Sequence, residues 1–249
     1  MGKDFRSVKL PSKCLVYPGV SPEDISICQL TGEEERLLSE VNTSNLDRKV
    51  LEVLKNVVRG VDVSVLTAGD RLFLLIWEIM NSFSDEIPVS YLCYNCNKKV
   101  DITGKFSTME VIELPDDFKQ PYPVTLSDEK VVNLRLLTAG DEVLISDYES
   151  SGKDAWCYRY ALSIVSDDDI LRRIKFYQDL PVKDTAKIRA FQEKFFHGPS
   201  MEFPCKCPYC GEEELVSIPF RIEFLFPSGE GLVRNHGIGV SSDVVPKDE

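Results

Sequence analysis

The chain has 249 residues, 43% of them hydrophobic, enough for an ordinary buried core in one large domain or two small ones. Forty-one acidic against 29 basic side chains leave a formal net charge of −12, a surface that repels phosphate backbones and argues against broad non-specific nucleic-acid binding. No apolar run approaches the ~18 residues of a bilayer span, and "MGKDFRSVKL" lacks the apolar stretch of a signal peptide, so a soluble, intracellular protein is expected.

Residues 1–30 read as extended or irregular, punctuated by Pro11, Pro18 and Pro22. A helix is predicted to open at "LTGEEERLLSEV", where Thr31 and Glu34 have the spacing of a capping box. A second follows in "NLDRKVLEVLKNVV", capped by Ser44 or Asn45, with Leu46, Val50, Val53, Leu54 and Val57 on one face. The pentapeptide "LTAGD" then occurs twice, at Leu66–Asp70 and Leu137–Asp141. In each copy a Thr stands where an N-cap belongs, and an Asp three residues later lies near the positive end of the helix dipole. The helix after the first copy, "RLFLLIWEIMNSF", is apolar around most of its circumference and is expected to be buried. We read the repeat as capping grammar used twice. The alternatives are an internal duplication, suggested by strand-like residues running into both copies, and a catalytic role for Asp70 or Asp141, which no sequence neighbour supports.

Strands are expected over residues 87–114, with a turn at Cys93–Lys98, and a hairpin in "YPVTLSDEKVVNLRLL" with "SDEK" at its bend. Helices are expected at about Asp167–Leu180, opened by "SDDD", and at Asp184–Phe196. "MEFPCKCPYCGEEELVSIPFRIEFLF" returns to strand character, and residues 227–249, rich in Gly, Ser and charge, read as a mobile tail.

Eight cysteines are present. Cys93 and Cys96 form one C-x2-C unit and Cys207 and Cys210 another, each in a short turn between strand-forming residues, the second followed at once by Gly211. Such a turn aims two thiolates at one ion, and two of them supply the tetrahedral set that zinc accepts. The expectation is therefore a shared structural zinc on Cys93, Cys96, Cys207 and Cys210. The 110 residues between Cys96 and Cys207 far exceed the ~15–20 of a compact site, so an insert must return to where it left. A redox dithiol and buried unpaired cysteines are the competing readings. Cys205 could replace Cys207 by local rearrangement, whereas Cys14, Cys28 and Cys157 read as core or spare thiols. Four cysteines would close the metal's shell and leave no open position for catalysis. The two histidines, His197 at a helix end and His236 in the tail, read as solvated surface groups, with approach to a metal as the alternative, and no phosphate-binding loop is present. No catalytic residue and no cofactor beyond zinc is predicted.

The segments "LPSKCLVYP", "VDVSVLTAGDRLFLLIWEI", "YLCYNCNKKVDI", "VVNLRLLTAGDE" and "FPCKCPYCGEE" together resemble the baseplate hub family of T-even-type contractile-tailed phages, described as hub subunits or hub-assembly chaperones. The resemblance covers roughly residues 8–226, and its most specific parts are the segment before the first cysteine pair and the one ending in "LRLLTAGDE". It implies a non-enzymatic role in building a baseplate hub through contacts with other baseplate or hub proteins, in the host cytoplasm during assembly and with retention in the virion left open. No small-molecule substrate or membrane is expected. Phe195, Phe196, Phe203, Phe224 and Phe226 are candidate partner anchors if exposed, and core residues otherwise.

The predicted fold class is α+β: a mainly helical region at 1–86, and a split zinc-ribbon-like β element over 87–226 that encloses a β-hairpin and helices at about 115–200. The alternative function is a zinc-ribbon nucleic-acid-binding regulator, which the net charge disfavours.

Overall fold

The computed structural model describes residues 3–42, 44–221 and 224. The expected tail at 227–249, with His236, and the candidate anchor Phe226 lie outside them. The described chain mixes seven α-helices with several small antiparallel sheets, so the fold class is α+β.

Three two-residue strands, β1 (Arg6–Ser7), β2 (Ser26–Ile27) and β3 (Val58–Arg59), pair antiparallel in the order β1-β2-β3. Between β2 and β3 run α1 (Gly32–Ser39) and α2 (Leu46–Val57). Thr31 and Glu34 close the expected capping box on α1. In α2, Val50, Leu51, Val53, Leu54 and Val57 are buried, as the periodicity demands. Asn45 sits at its N-cap position but turns its side chain back to Asn42 N and Glu40 O instead of capping.

Helix α3 (Ala68–Ser82) follows the first "LTAGD", and Thr67 Oγ1 accepts from Asp70 N as predicted. Strands β4 (Glu86–Leu92) and β5 (Lys99–Lys105) form a hairpin in register Leu92↔Lys99. β6 (Val111–Ile112) leads to the hairpin β7 (Tyr122–Thr125) and β8 (Val131–Leu134), with "SDEK" in its bend. The second "LTAGD" starts α4 (Ala139–Ser150) with a capping box between Thr138 and Asp141.

Helix α5 (Trp156–Ser163) was not foreseen. Then come α6 (Ile170–Asp179), capped by Asp169 from the "SDDD" run, and α7 (Val182–Lys194). α7 starts two residues earlier than predicted, behind Pro181, because the buried Asp184 carboxylate turns away to accept from Ser127 N and Oγ in the β7–β8 bend. β9 (Gly198–Pro199) pairs antiparallel with β6, and β10 (Glu202–Lys206) pairs with β11 (Glu213–Ser217) in a second hairpin. Among the described residues strand character ends at Ser217, short of the predicted stretch.

One continuous apolar core reaches from Val8 in the N-terminal segment, through α2 and α3, to Phe203 in β10. Phe195 and Phe203 are buried in it and Phe224 packs against it, whereas Phe196 is exposed. No described helix is long and apolar enough to cross a membrane.

The two "LTAGD" copies meet. Thr67 and Thr138 form an antiparallel bridge, and Ala139 N donates to Leu66 O at 2.7 Å. The glycine of each copy lies against backbone: a Cβ on Gly69 would stand 2.1 Å from His197 O, and one on Gly140 3.1 Å from Ser64 O.

The pentapeptide is thus a cap and a close-approach point together. The two Asp carboxylates take different partners. Asp70 accepts from Ser12 N at 2.9 Å and from the Tyr17 hydroxyl at 2.5 Å, while Asp141 receives both Arg135 guanidinium arms at 2.6 and 2.9 Å.

Candidate metal centre

The hairpins β4–β5 and β10–β11 are separate, yet the C-x2-C turns at their tips lie together, and the two turns repeat one backbone pattern. Cys93 N donates to Lys98 O and Asn97 N to Cys93 O, while Cys207 N donates to Glu212 O and Gly211 N to Cys207 O. The fourth residue after the leading cysteine carries a positive φ in both, 52° at Asn97 and 78° at Gly211. Asn and Gly are the residues that take this conformation at least strain, so the local sequence dictates the turn.

The four predicted sulfurs, Cys93, Cys96, Cys207 and Cys210, all lie within 4.8 Å of one another. Two cross-turn pairs, Cys93 Sγ to Cys210 Sγ and Cys96 Sγ to Cys207 Sγ, stand at 3.7 Å. A disulfide requires about 2.05 Å. Sulfurs at the corners of a tetrahedron about an ion 2.3 Å away would be about 3.8 Å apart. The donor set and its spacing therefore fit one tetrahedral thiolate-bound ion.

Cys93 and Cys207, one from each turn, are buried beside Val100, while Cys96 is partly covered and Cys210 is exposed. Burial pushes the Cys207 thiol up, but the Tyr209 and Cys210 backbone N–H groups, with the neighbouring thiols, outweigh it and bring it down to about 7. Backbone N–H groups also favour a Cys93 thiolate, yet burial and the adjoining sulfurs drive that thiol up to about 12.

Contacts outside the sulfurs join the turns. The Tyr94 hydroxyl donates to a Glu212 carboxylate oxygen, and Lys98 Nζ lies 4.7 Å from the centroid of the Tyr209 ring. Sequence reasoning singled out none of these four side chains, since their partners are more than a hundred residues away.

The remaining thiols stay apart from the cluster. Cys205 is buried on β10 and packs in the main core, Cys14 and Cys28 are buried, and Cys157 is partly exposed. His197 corrects the sequence reading: it is 4% exposed, not solvated. Its Nδ1 is 3.0 Å from Phe195 O, which can only accept, so Nδ1 carries the proton in the neutral ring and Nε2 accepts from the Thr67 hydroxyl at 2.6 Å. Thr67, Asp70, Tyr17 and His197 are all buried, and their hydrogen bonds secure the start of α3.

Small antiparallel hairpins on a helical body, with four clustered thiols between two of them, define an α+β protein with a candidate metal centre. The T4 bacteriophage base plate protein family matches residues 7–225, and the chain belongs to that family. It is a T4-type phage baseplate protein. No curated protein and no solved structure matches it.

Proposed function

We propose that this baseplate protein is a hub subunit or hub-assembly chaperone, non-enzymatic, acting through contacts with other baseplate proteins and holding one structural zinc on Cys93, Cys96, Cys207 and Cys210. The observation that carries the zinc is the 3.7 Å spacing of sulfurs drawn from turns so far apart in sequence. The hub assignment rests on family membership together with the resemblance of the strand-and-cap segments, "VDVSVLTAGDRLFLLIWEI" above all. When bound, zinc would supply a cross-link and no reactive position, because four thiolates complete its shell. In this reading residues 1–86 form the helical part, and residues 87–226 form a split ribbon whose metal fixes the base of the insert at about 115–200. The protein meets its partners in the host cytoplasm during assembly.

Two experiments test the reading. Elemental analysis of the purified chain should give one zinc per molecule, lost in the Cys93→Ser, Cys207→Ser double variant together with thermal stability. Metal-free wild type of undiminished stability would remove the zinc. In fractionated lysates of infected cells the protein should co-sediment with hub-containing baseplate intermediates. Sedimentation only as the free chain, with no binding to any baseplate protein, would remove the hub role. Salt-resistant, sequence-specific binding to nucleic acid would favour a regulator instead.

A further inference from the structure

Resting on the metal reading above, we propose that Tyr94 with Glu212, and Lys98 with Tyr209, form a reciprocal clasp that holds the two cysteine turns together and governs how fast the metal leaves. Lys98 and Glu212 occupy equivalent places, each accepting through its carbonyl oxygen from the N–H of the leading cysteine of its own turn. Each sends its side chain across to the tyrosine of the opposite turn: the Glu212 carboxylate accepts from the Tyr94 hydroxyl, and the Lys98 ammonium faces the Tyr209 ring. Opposite charges at equivalent positions thus make two different contacts over one gap.

The gap matters because each turn supplies only half of the ligand set. A chelator reaching the exposed Cys210 side can remove the ion only if the two hairpins part. The sulfurs hold the ion, whereas the clasp opposes the parting. These four side chains are positioning residues and touch no ion themselves.

The test is metal transfer from the zinc-loaded full-length protein to a chromophoric chelator. Tyr94→Phe, which removes only the hydroxyl, and Lys98→Met, which removes only the cation, should each speed release about threefold to tenfold, with one zinc still bound at the start. Glu212→Gln keeps an acceptor and should release at an intermediate rate, while adding Glu212→Gln to Tyr94→Phe should add little, since one contact is already gone. Lys206→Met, which breaks the neighbouring Lys206–Glu213 pair on the same hairpin, should release at the wild-type rate. If wild type holds one zinc and Tyr94→Phe and Lys98→Met release it no faster, the clasp is wrong and the metal site stands. If wild type takes up no zinc, the metal reading fails and the clasp falls with it.

Discussion

Glu78 sits on α3 at 1% exposure among Leu30, Leu38, Val50, Val53 and Leu75, with Oε2 accepting from Ser82 Oγ and Oε1 without a partner. Burial pushes its carboxyl up to about 8 from the ordinary 4.5, against the pull of the Ser82 hydroxyl and the Leu30 N–H. The folded state therefore keeps a proton that the unfolded chain gives up. The neutral carboxyl is harmless below pH 4.5, stability falls as pH rises between 4.5 and 8, and the loss is complete above 8. Glu78→Gln, which cannot ionise, should be near neutral at pH 5 and stabilising by roughly 2–4 kcal/mol at pH 8 and above. Urea midpoints of the two proteins from pH 5 to 9 check this, and a gain independent of pH would show that burial does not keep the carboxyl protonated. Neither Glu78 nor His197 could be assigned from sequence, because burial at a helix face or helix end depends on what packs over it. For Glu78 the cover is α1 and α2, and for His197 it is the start of α3.

At the scale of elements, the two "LTAGD" copies are a natural comparison, because one motif starts α3 and α4 in different surroundings. Thr67→Ala removes a cap, worth about 1 kcal/mol, and also leaves the His197 Nε2 buried without its donor, for a combined loss of about 2–4 kcal/mol. Thr138→Ala removes the same cap at a less buried site, where Arg135 still holds Asp141, and should lose only about 1 kcal/mol. Chemical denaturation of both variants decides the matter, and equal losses would mean that His197 adds nothing to the cap. Caps, the β7–β8 bend and the α2 stripe were legible because each is set by residues within one turn or hairpin of one another. Helix α5 was not. Its "WCYRYALS" favours strand by composition, its start carries no side-chain cap at Ala155, and Tyr160 finds its place by stacking on Tyr177 of α6 at 5.3 Å. The meeting of the two copies was equally hidden, since the bridge between Thr67 and Thr138 joins segments seventy-one positions apart.

For the whole molecule, the legible part of the candidate site was the set of cysteines that cluster, and the hidden part was what brings them together. The C-x2-C spacing and the Gly after the second pair are local signals, while the closing of the insert depends on β6 pairing with β9, two residues each and featureless in sequence. Cross-linking a loop of about 100 residues is worth up to ~4–5 kcal/mol in the chain-entropy model, an upper limit here because β6–β9 already restrains the same segment. If the four sulfurs hold zinc as proposed, chelating it should lower stability by less than this and speed amide exchange first at the two cysteine turns, while α1–α3, buried in the main core, keep their protection. Hydrogen exchange before and after chelation reads both, and uniform loss of protection would show that the ribbon and the helical body unfold as one. The β6–β9 pairing also has a mechanical consequence. A pull between β4 and β11 would cross at the linked cysteine turns and, once these part, at Val111–Pro199 and Ile112–Gly198, so the hairpin and helices at residues 113–197 would lie off the line of tension. Under load, that arrangement lets one end of the molecule strain while the surface carried by the insert keeps its shape.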